Sequence, residues 1–316
     1  MSDLPKLKSL PKIAILLSVY NGEKFLSAQL DSLLAQTHQN FIVVIRDDGS
    51  KDGSFGLVVK YAKNHPDHFL VLPQDNTNYG AGGGFSYLVQ YTLSHSKELG
   101  LDSAYIMFCD QDDRWFESKI EIQLKALVLI EEKTGNKPLL IHSDLEVVSE
   151  AGALIAPSLI SFQGLEIERN RFPNLVISNL VTGCTALINQ ALAEKSLPVP
   201  SAAIMHDWWL AMTAAAFGQI VFLDQPLIHY RQHQNNTIGA KEFLKSTPAS
   251  RSFWQKVFAT KANEHLIEVG VQAAAFRQRF GKELEFRDRV ALTLCSGMRI
   301  RVAFIQRIFY KLARRF

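Results

Sequence analysis

The chain has 316 residues, 47% of them hydrophobic and 21% charged, the proportions of an ordinary globular protein with room for a full α/β core and an appendage. No run of about 20 uncharged apolar residues occurs, which argues against a spanning helix, and Ile13–Val19 is too short for the apolar core of a signal peptide. The net charge of +3 hides an asymmetry: residues 240–316 hold 16 Lys/Arg against 6 Asp/Glu, whereas the rest holds 18 against 25. An acidic body and a basic tail imply two parts with different partners. Nucleic acid is a poor candidate, because no recognition motif interleaves with the basic run. The three cysteines, Cys109, Cys184 and Cys295, lie far apart with no metal-ligand spacing, so a reduced, cytosolic compartment is expected.

Lys12–Tyr20 reads as a fully buried strand, continuous and apolar, broken by Asn21-Gly22. Glu23–Gln36 follows with a helical stripe of Phe25, Leu26, Leu30, Leu33 and Leu34. Phe41–Arg46 is a second buried strand, Ser54–Lys63 a helix and Phe69–Leu72 a short third strand. A glycine-rich turn over residues 76–84 opens a helix through Ser94, and Tyr105–Cys109 is the next strand. Strands alternating with helices at this spacing require a parallel, doubly wound sheet, because each crossover needs a helix to return the chain. Ligands bind outside the carboxyl ends of such strands. The four ends here carry Ser18-Val-Tyr-Asn21, Asp47-Asp-Gly-Ser50, Asn78-Tyr-Gly-Ala-Gly82 and Asp110-Gln-Asp-Asp113, and would line one crevice.

The pattern then loosens. Ile120, Leu124, Leu127 and Ile130 mark a helix that stops at Gly135. Leu139–Val148 suits a strand carrying Asp144. Residues 157–176 show no period and read as a mobile loop. Asn179–Asn189 suggests a strand or strand-turn, His206 opens an apolar helix to Phe217, and Ile220–Leu223 is a further strand. Pro226–Tyr230 leads into Arg231-Gln-His233, and the composition shifts near Gly239-Ala240, where the domain boundary is placed. Residues 1–240 are then one α/β domain and 241–316 a basic helical region.

Three carboxylates within four residues, Asp110, Asp112 and Asp113, repel one another unless something positive lies between them. Such a cluster at a strand end is either a capped turn or a site for a divalent cation with an anionic ligand. Asp207 likewise is either an N-cap for its helix or a buried carboxylate available as a general base, with Trp208 and Trp209 desolvating it.

Five segments taken in order, Ser18-Val-Tyr-Asn-Gly22, Asp47-Asp-Gly-Ser-Lys-Asp52, Asp110-Gln-Asp-Asp113, His206-Asp-Trp-Trp209 and Tyr230-Arg-Gln-His233 followed by Asn235-Asn236, resemble the inverting family 2 glycosyltransferases of the GT-A fold. Within them the chain is most similar to bacterial rhamnosyltransferases of cell-wall polysaccharide and O-antigen synthesis. The resemblance spans about residues 12–240. It implies an α/β fold with a mostly parallel sheet and helices on both faces, to which the residues after 240 add a C-terminal helical appendage. It implies that Asp48 receives the N3–H of uracil or thymine, with Ser18, Tyr20, Asn21, Asn78, Gly80, Asp110 and Arg231 around the nucleotide sugar. Asp112 and His233 would hold Mg²⁺ or Mn²⁺, and Asp207 would be the base. Asp144, Gly183, Cys184, Trp208 and Trp209 are weaker candidates for sugar contacts. The glycine run and Phe85 depart from the polar and basic residues usual after the third strand. The donor implied is dTDP-β-L-rhamnose or a UDP-sugar, and the acceptor a lipid-linked saccharide; the oligomeric state stays open.

Residues 250–316 look helical. Val302, Ile305, Phe309, Leu312 and Phe316 repeat at helical spacing among Arg299, Arg301, Arg307, Lys311, Arg314 and Arg315. That is either an interfacial helix for an anionic membrane surface, peripheral to the inner face of the plasma membrane, or a helix packed on the catalytic domain or on a second copy.

Overall fold

The computed structural model describes residues 10–75, 77–233 and 263–316. Asn235-Asn236, the boundary expected near 240 and the start of the basic helical region lie outside them. Four strands, β1 (Ile13–Val19), β2 (Phe41–Asp47), β3 (Phe69–Val71) and β4 (Tyr105–Cys109), pair in parallel in the order β3-β2-β1-β4. The sheet continues through β8 (Ala186–Ile188), β6 (Leu139–Ser149), β9 (Gln219–Gln232) and the two-residue β5 (Arg114–Trp115), with β7 (Leu154–Ala156) beside β6. β8 is antiparallel to both neighbours, whereas β6 and β9 run parallel. The mostly parallel sheet expected from the sequence is thus present.

The continuous apolar strands are explained by burial on both faces. Alternate side chains of β1 divide between two cores: Ile13, Ile15, Leu17 and Val19 enter one, Ala14 and Leu16 the other. The first core is covered by α1 (Glu23–Leu34), α2 (Ser54–Asn64) and α4 (Lys119–Thr134), through Leu26, Leu30, Val58, Ile120 and Leu124. The second is covered by α3 (Gly80–Ser94), α7 (Gln190–Ser196) and α8 (His206–Phe217). α4 ends at Gly135 with φ 71°, a backbone conformation that favours glycine.

Two expectations change. Residues 157–176 are not a loop without structure. They form α5 (Leu159–Gln163), a 3₁₀ turn at Ile167–Arg169 and α6 (Phe172–Leu175), and bury Leu159, Phe172, Leu175 and Val176. These elements are too short to show a period. Second, the strand expected at Ile220–Leu223 continues through Pro226 to Gln232, because register shifts against β6 between Ser143 and Glu146 accommodate the interruption.

The C-terminal segment forms α9 (Glu264–Phe280), α10 (Phe286–Gly297) and α11 (Ala303–Ala313). Val269, Ala273, Phe276 and Phe280 join the same apolar cluster as Trp208 and Trp209 of α8. Phe276 meets Trp209 at 5.0 Å and Phe172 at 5.3 Å between ring centroids. No helix among the described residues is long and apolar enough to cross a membrane.

Candidate active site

The carboxyl ends of β1, β2 and β4 open on a cleft of about 970 Å³, closed on its far side by residues 179–183 and the start of α8. Ser18, Tyr20, Asp48, Asn78, Gly80, Asp110, Asp112, Gly183, Asp207 and Trp208 all line it. Residues separated by up to about 190 positions therefore meet at one surface.

At the β2 end the paired acids divide their work. Asp47 Oδ1 accepts the N–H groups of Gly49 and Ser50 and the Gln74 amide, a turn-forming role. Asp48 turns into the cleft. Its Oδ1 accepts Arg46 Nε at 2.9 Å and its Oδ2 accepts the Tyr79 N–H at 3.0 Å. Burial pushes its carboxyl above the ordinary value, with the Arg46 guanidinium and the Tyr79 N–H opposing the rise. Arg46 also donates to both carboxylate oxygens of Asp75 and to the Thr77 carbonyl, and its guanidinium lies against the rings of Tyr79 and Tyr87 at 4.4 and 4.9 Å. Asn78 ties this loop back by donating to the Asp48 carbonyl while accepting the Gly80 N–H. A Cβ at Gly84 would stand 2.6 Å from Ser18 Oγ and 3.7 Å from Asp48 Oδ2, so the glycine run lets α3 sit directly on the strand ends. Tyr20 is 48% exposed at the cleft edge. Gln111 clamps its backbone at both ends, accepting the Tyr20 N–H at 2.9 Å and donating to the Tyr20 carbonyl at 3.0 Å.

At the β4 end the acids converge. Donor atoms of Asp110, Asp113 and Cys184 lie within 4.8 Å of one another, while Asp112 Oδ2 meets His233 Nε2 at 2.7 Å. Burial, and the like charges of Asp112 and Asp207, push the Asp110 carboxyl up to about 7. Burial and the like charges of Asp112 and Asp110 also hold Asp113 well above the carboxylate range. Asp113 Oδ1 accepts the Arg231 N–H at 3.2 Å, and its buried Oδ2 has no hydrogen-bond partner among the described residues. Below lies Lys119, wholly buried, which donates to Gln123 Oε1 at 2.6 Å and lies 4.0 Å from the Trp115 ring centre. Burial pulls its pKa down to about 7, against the pull of Cys184, Cys109 and Asp113. Acceptor-rich, under-satisfied oxygen donors beside a histidine fit a hard divalent cation.

Asp207 faces this cluster from α8. Its Oδ1 accepts the Trp208 N–H at 2.6 Å and the Asn179 side-chain amide at 3.3 Å. A Cβ at Gly183 would stand 3.4 Å from Asp207 Oδ2 and 3.1 Å from His206 Nε2. Burial pushes the Asp207 carboxyl up to about 7, against these hydrogen bonds. His206 is buried with no partner among the described residues for either ring nitrogen; it lies between Phe85 and Phe108 at 4.3 and 5.0 Å, and burial drops its pKa to about 3.

Six other candidates are not among the residues that line the cleft. Asn21, at φ 49°, accepts the Lys51 N–H and receives Ser50 Oγ on its own N–H, joining two loops. Arg231 braces the acidic turn from behind, donating to the carbonyls of Asp112 and Glu150, and His233 meets that turn at Asp112 Oδ2. Asp144 accepts the N–H groups of Leu145, Leu159 and Ile160, fixing the start of α5. Cys184 lies beneath the cleft floor. Trp209 points into the core and donates to the Ser196 carbonyl. The sequence reading missed Arg46, Gln111, Asn179 and His206 as site-builders. Arg46 carried one signal: an arginine ending an otherwise apolar strand must be paired once buried.

A doubly wound sheet whose acidic strand ends face a buried carboxylate across a cleft has the build of a GT-A glycosyltransferase. Residues 14–134 match the family model described as "Glycosyl transferase family 2", so that stretch is a family 2 glycosyltransferase domain. The dTDP-rhamnosyl transferase RfbG of Shigella flexneri is 26% identical over 265 residues, covering 80% of this chain and 85% of the relative. An uncharacterized glycosyltransferase of Rickettsia typhi, RT0329, is 26% identical over 263 residues, covering 82% of this chain and 75% of the relative. Among solved structures, S. aureus TarS 1-349 in complex with UDP-GlcNAc shares the fold at TM-score 0.56 and 15% identity, over 91% of this chain and 71% of that one.

Proposed function

We propose that this glycosyltransferase moves L-rhamnose from dTDP-β-L-rhamnose to a lipid-linked saccharide, with inversion and with help from Mg²⁺ or Mn²⁺, at the inner face of the plasma membrane. In this reading residues 1–240 catalyse and 241–316 associate with the membrane. The observation that carries the mechanism is Asp207, a buried carboxyl raised to about 7 and electrostatically linked to Asp110 across the cleft. A relative that carries the name dTDP-rhamnosyl transferase supports the donor.

Asp48, fixed by Arg46 and the Tyr79 N–H, is suited to accept an imide N–H from the base. Asn78, Gly80 and the start of α3 bring backbone close to the nucleotide. Asp112, with His233 and Asp110, would hold the cation, which when bound acts as a Lewis acid for the departing diphosphate. Asp207 takes the proton of an acceptor hydroxyl as that oxygen bonds to the anomeric carbon, and the bond from that carbon to the diphosphate oxygen breaks. Attack from the face opposite the leaving group turns a β-linked donor into an α-linked product. A UDP-hexose donor is the second reading, because an acceptor such as Asp48 treats the N3–H of uracil and thymine alike.

The test is nucleotide release and sugar transfer to lipid extracts, comparing dTDP-L-rhamnose with UDP-hexoses, with Mg²⁺, Mn²⁺ or a chelator. Metal-dependent transfer from dTDP-L-rhamnose, lost in Asp207→Asn, is expected. Donor binding without turnover in both wild type and Asp207→Asn would reduce the protein to a binding module.

A further inference from the structure

The sequence period put Phe309 on one apolar stripe with Val302, Ile305 and Leu312, but in the structure it parts from them: Phe309 packs on the core, and a Cβ at Gly297 would stand 2.7 Å from its ring. Ala303, Gln306 and Ala313 are buried beside it. Phe304, Ile305, Ile308 and Leu312 face outward instead, with Val302 ahead of them. Phe304 is 53% and Val302 51% exposed, and Phe286, at the start of α10, is 75% exposed. Arg307, Lys311, Arg314 and Arg315 belong to the same short helix or its end, and no acidic residue follows Asp288.

We infer that the outer face of α11 docks on a bilayer with anionic headgroups. An apolar ridge flanked by cations suits the interface between acyl chains and acidic headgroups. A second copy is a poor occupant: apposing two such faces brings arginines and lysines together, and α11 carries no carboxylate to offset them. The inner face of the helix shows what docking would position. Gln306 accepts the Asn263 N–H at 2.8 Å and donates to the carbonyls of Asn263 and Met298 at 3.1 and 3.0 Å. Asn263 caps α9, whose first turns bring His265 and Glu268 into the cleft wall, with His265 6.0 Å from Trp208. The lipid-facing helix is therefore joined to the rim of the cleft. This extends the reading of a lipid-linked acceptor, and docking itself needs neither donor nor catalysis.

The test is co-sedimentation of the full chain with vesicles of phosphatidylcholine alone or mixed with phosphatidylglycerol, at low and high salt. At low salt, binding at least about tenfold stronger to the anionic vesicles is expected, falling as salt rises. Phe304→Ser with Ile308→Ser, and separately Arg307→Glu with Lys311→Glu, should each weaken it by about tenfold or more, with melting temperature and donor hydrolysis unchanged. No vesicle binding, equal binding to neutral vesicles, or unchanged binding in both double variants would overturn the inference. So would a dimer in sedimentation analysis that the serine variant dissociates, which would assign the face to a second copy. Vesicle binding without turnover of any sugar nucleotide would leave the docking surface standing and remove the catalytic reading.

Discussion

Asp207 illustrates how one side chain serves the fold with one oxygen and is left poised for chemistry by its surroundings. Oδ1 holds the first turn of α8, and burial raises the carboxyl to about 7. The consequence for stability has a definite sign. The folded state holds a proton that the unfolded state has released, so the group favours folding at low pH and that contribution is lost as pH rises from about 4 through about 7. Asp207→Asn should therefore melt at a higher temperature than wild type at pH 8, by an amount equivalent to at most about 4 kcal/mol, and at nearly the same temperature at pH 4. The same variant should lose turnover by about a thousandfold, and wild-type kcat/KM should climb with pH through about 7. A variant inactive but no more stable at pH 8 would mean that the buried charge is better compensated than its contacts indicate. Arg46 makes a second residue-scale prediction. Arg46→Met keeps the stem but leaves Asp48 and Asp75 unpaired, so affinity for a nucleoside diphosphate should fall about tenfold or more, as measured by calorimetric titration.

At the scale of elements, what could be read from the chain was what repeats locally. β4 and α8 have the limits expected, because an unbroken apolar run and an apolar helix opened by an acid announce themselves over a few residues. α5 and α6 do not, since five and four residues cannot display a helical period. The glycine-rich opening of α3 was legible as a departure but not as a fit. Its purpose emerges only from Ser18 Oγ, 2.6 Å from where a Gly84 Cβ would be. Gly84→Val should destabilise the protein by about 1–3 kcal/mol in denaturant unfolding. It should weaken nucleotide binding as well, because Ser18 and Asp48 are the atoms that would have to move.

For the whole molecule, the charge asymmetry invites a picture of a body with a separate tail, yet α9 and α10 complete the core over α8. Phe276 touches both Trp209 and Phe172, and the Arg279 guanidinium is held by the carbonyls at the end of α7, those of Lys195, Ser196, Leu197 and Pro198. Phe276→Ala should therefore cost about 3–5 kcal/mol and lower the melting temperature of the entire chain in one calorimetric transition. A second, independent transition would instead mark the C-terminal helices as a unit of their own.

The sequence alone determined the two-sided burial of the sheet, the acids at its strand ends, and Asp207 as the distant carboxylate, because periodicity and residue chemistry act over a few neighbours. It could not determine side-chain direction. Only the tertiary structure separated Asp48, which enters the cleft, from Asp47, which closes a turn, and sent Trp209 to the core while Trp208 lines the site. It also gave Asp144 to α5 and Arg231 to the back of the acidic turn. The reason is physical: a buried polar group must find a partner, and here the partners of Asp48, Asp113, Asp144 and Trp209 are placed by packing between segments the chain itself does not adjoin.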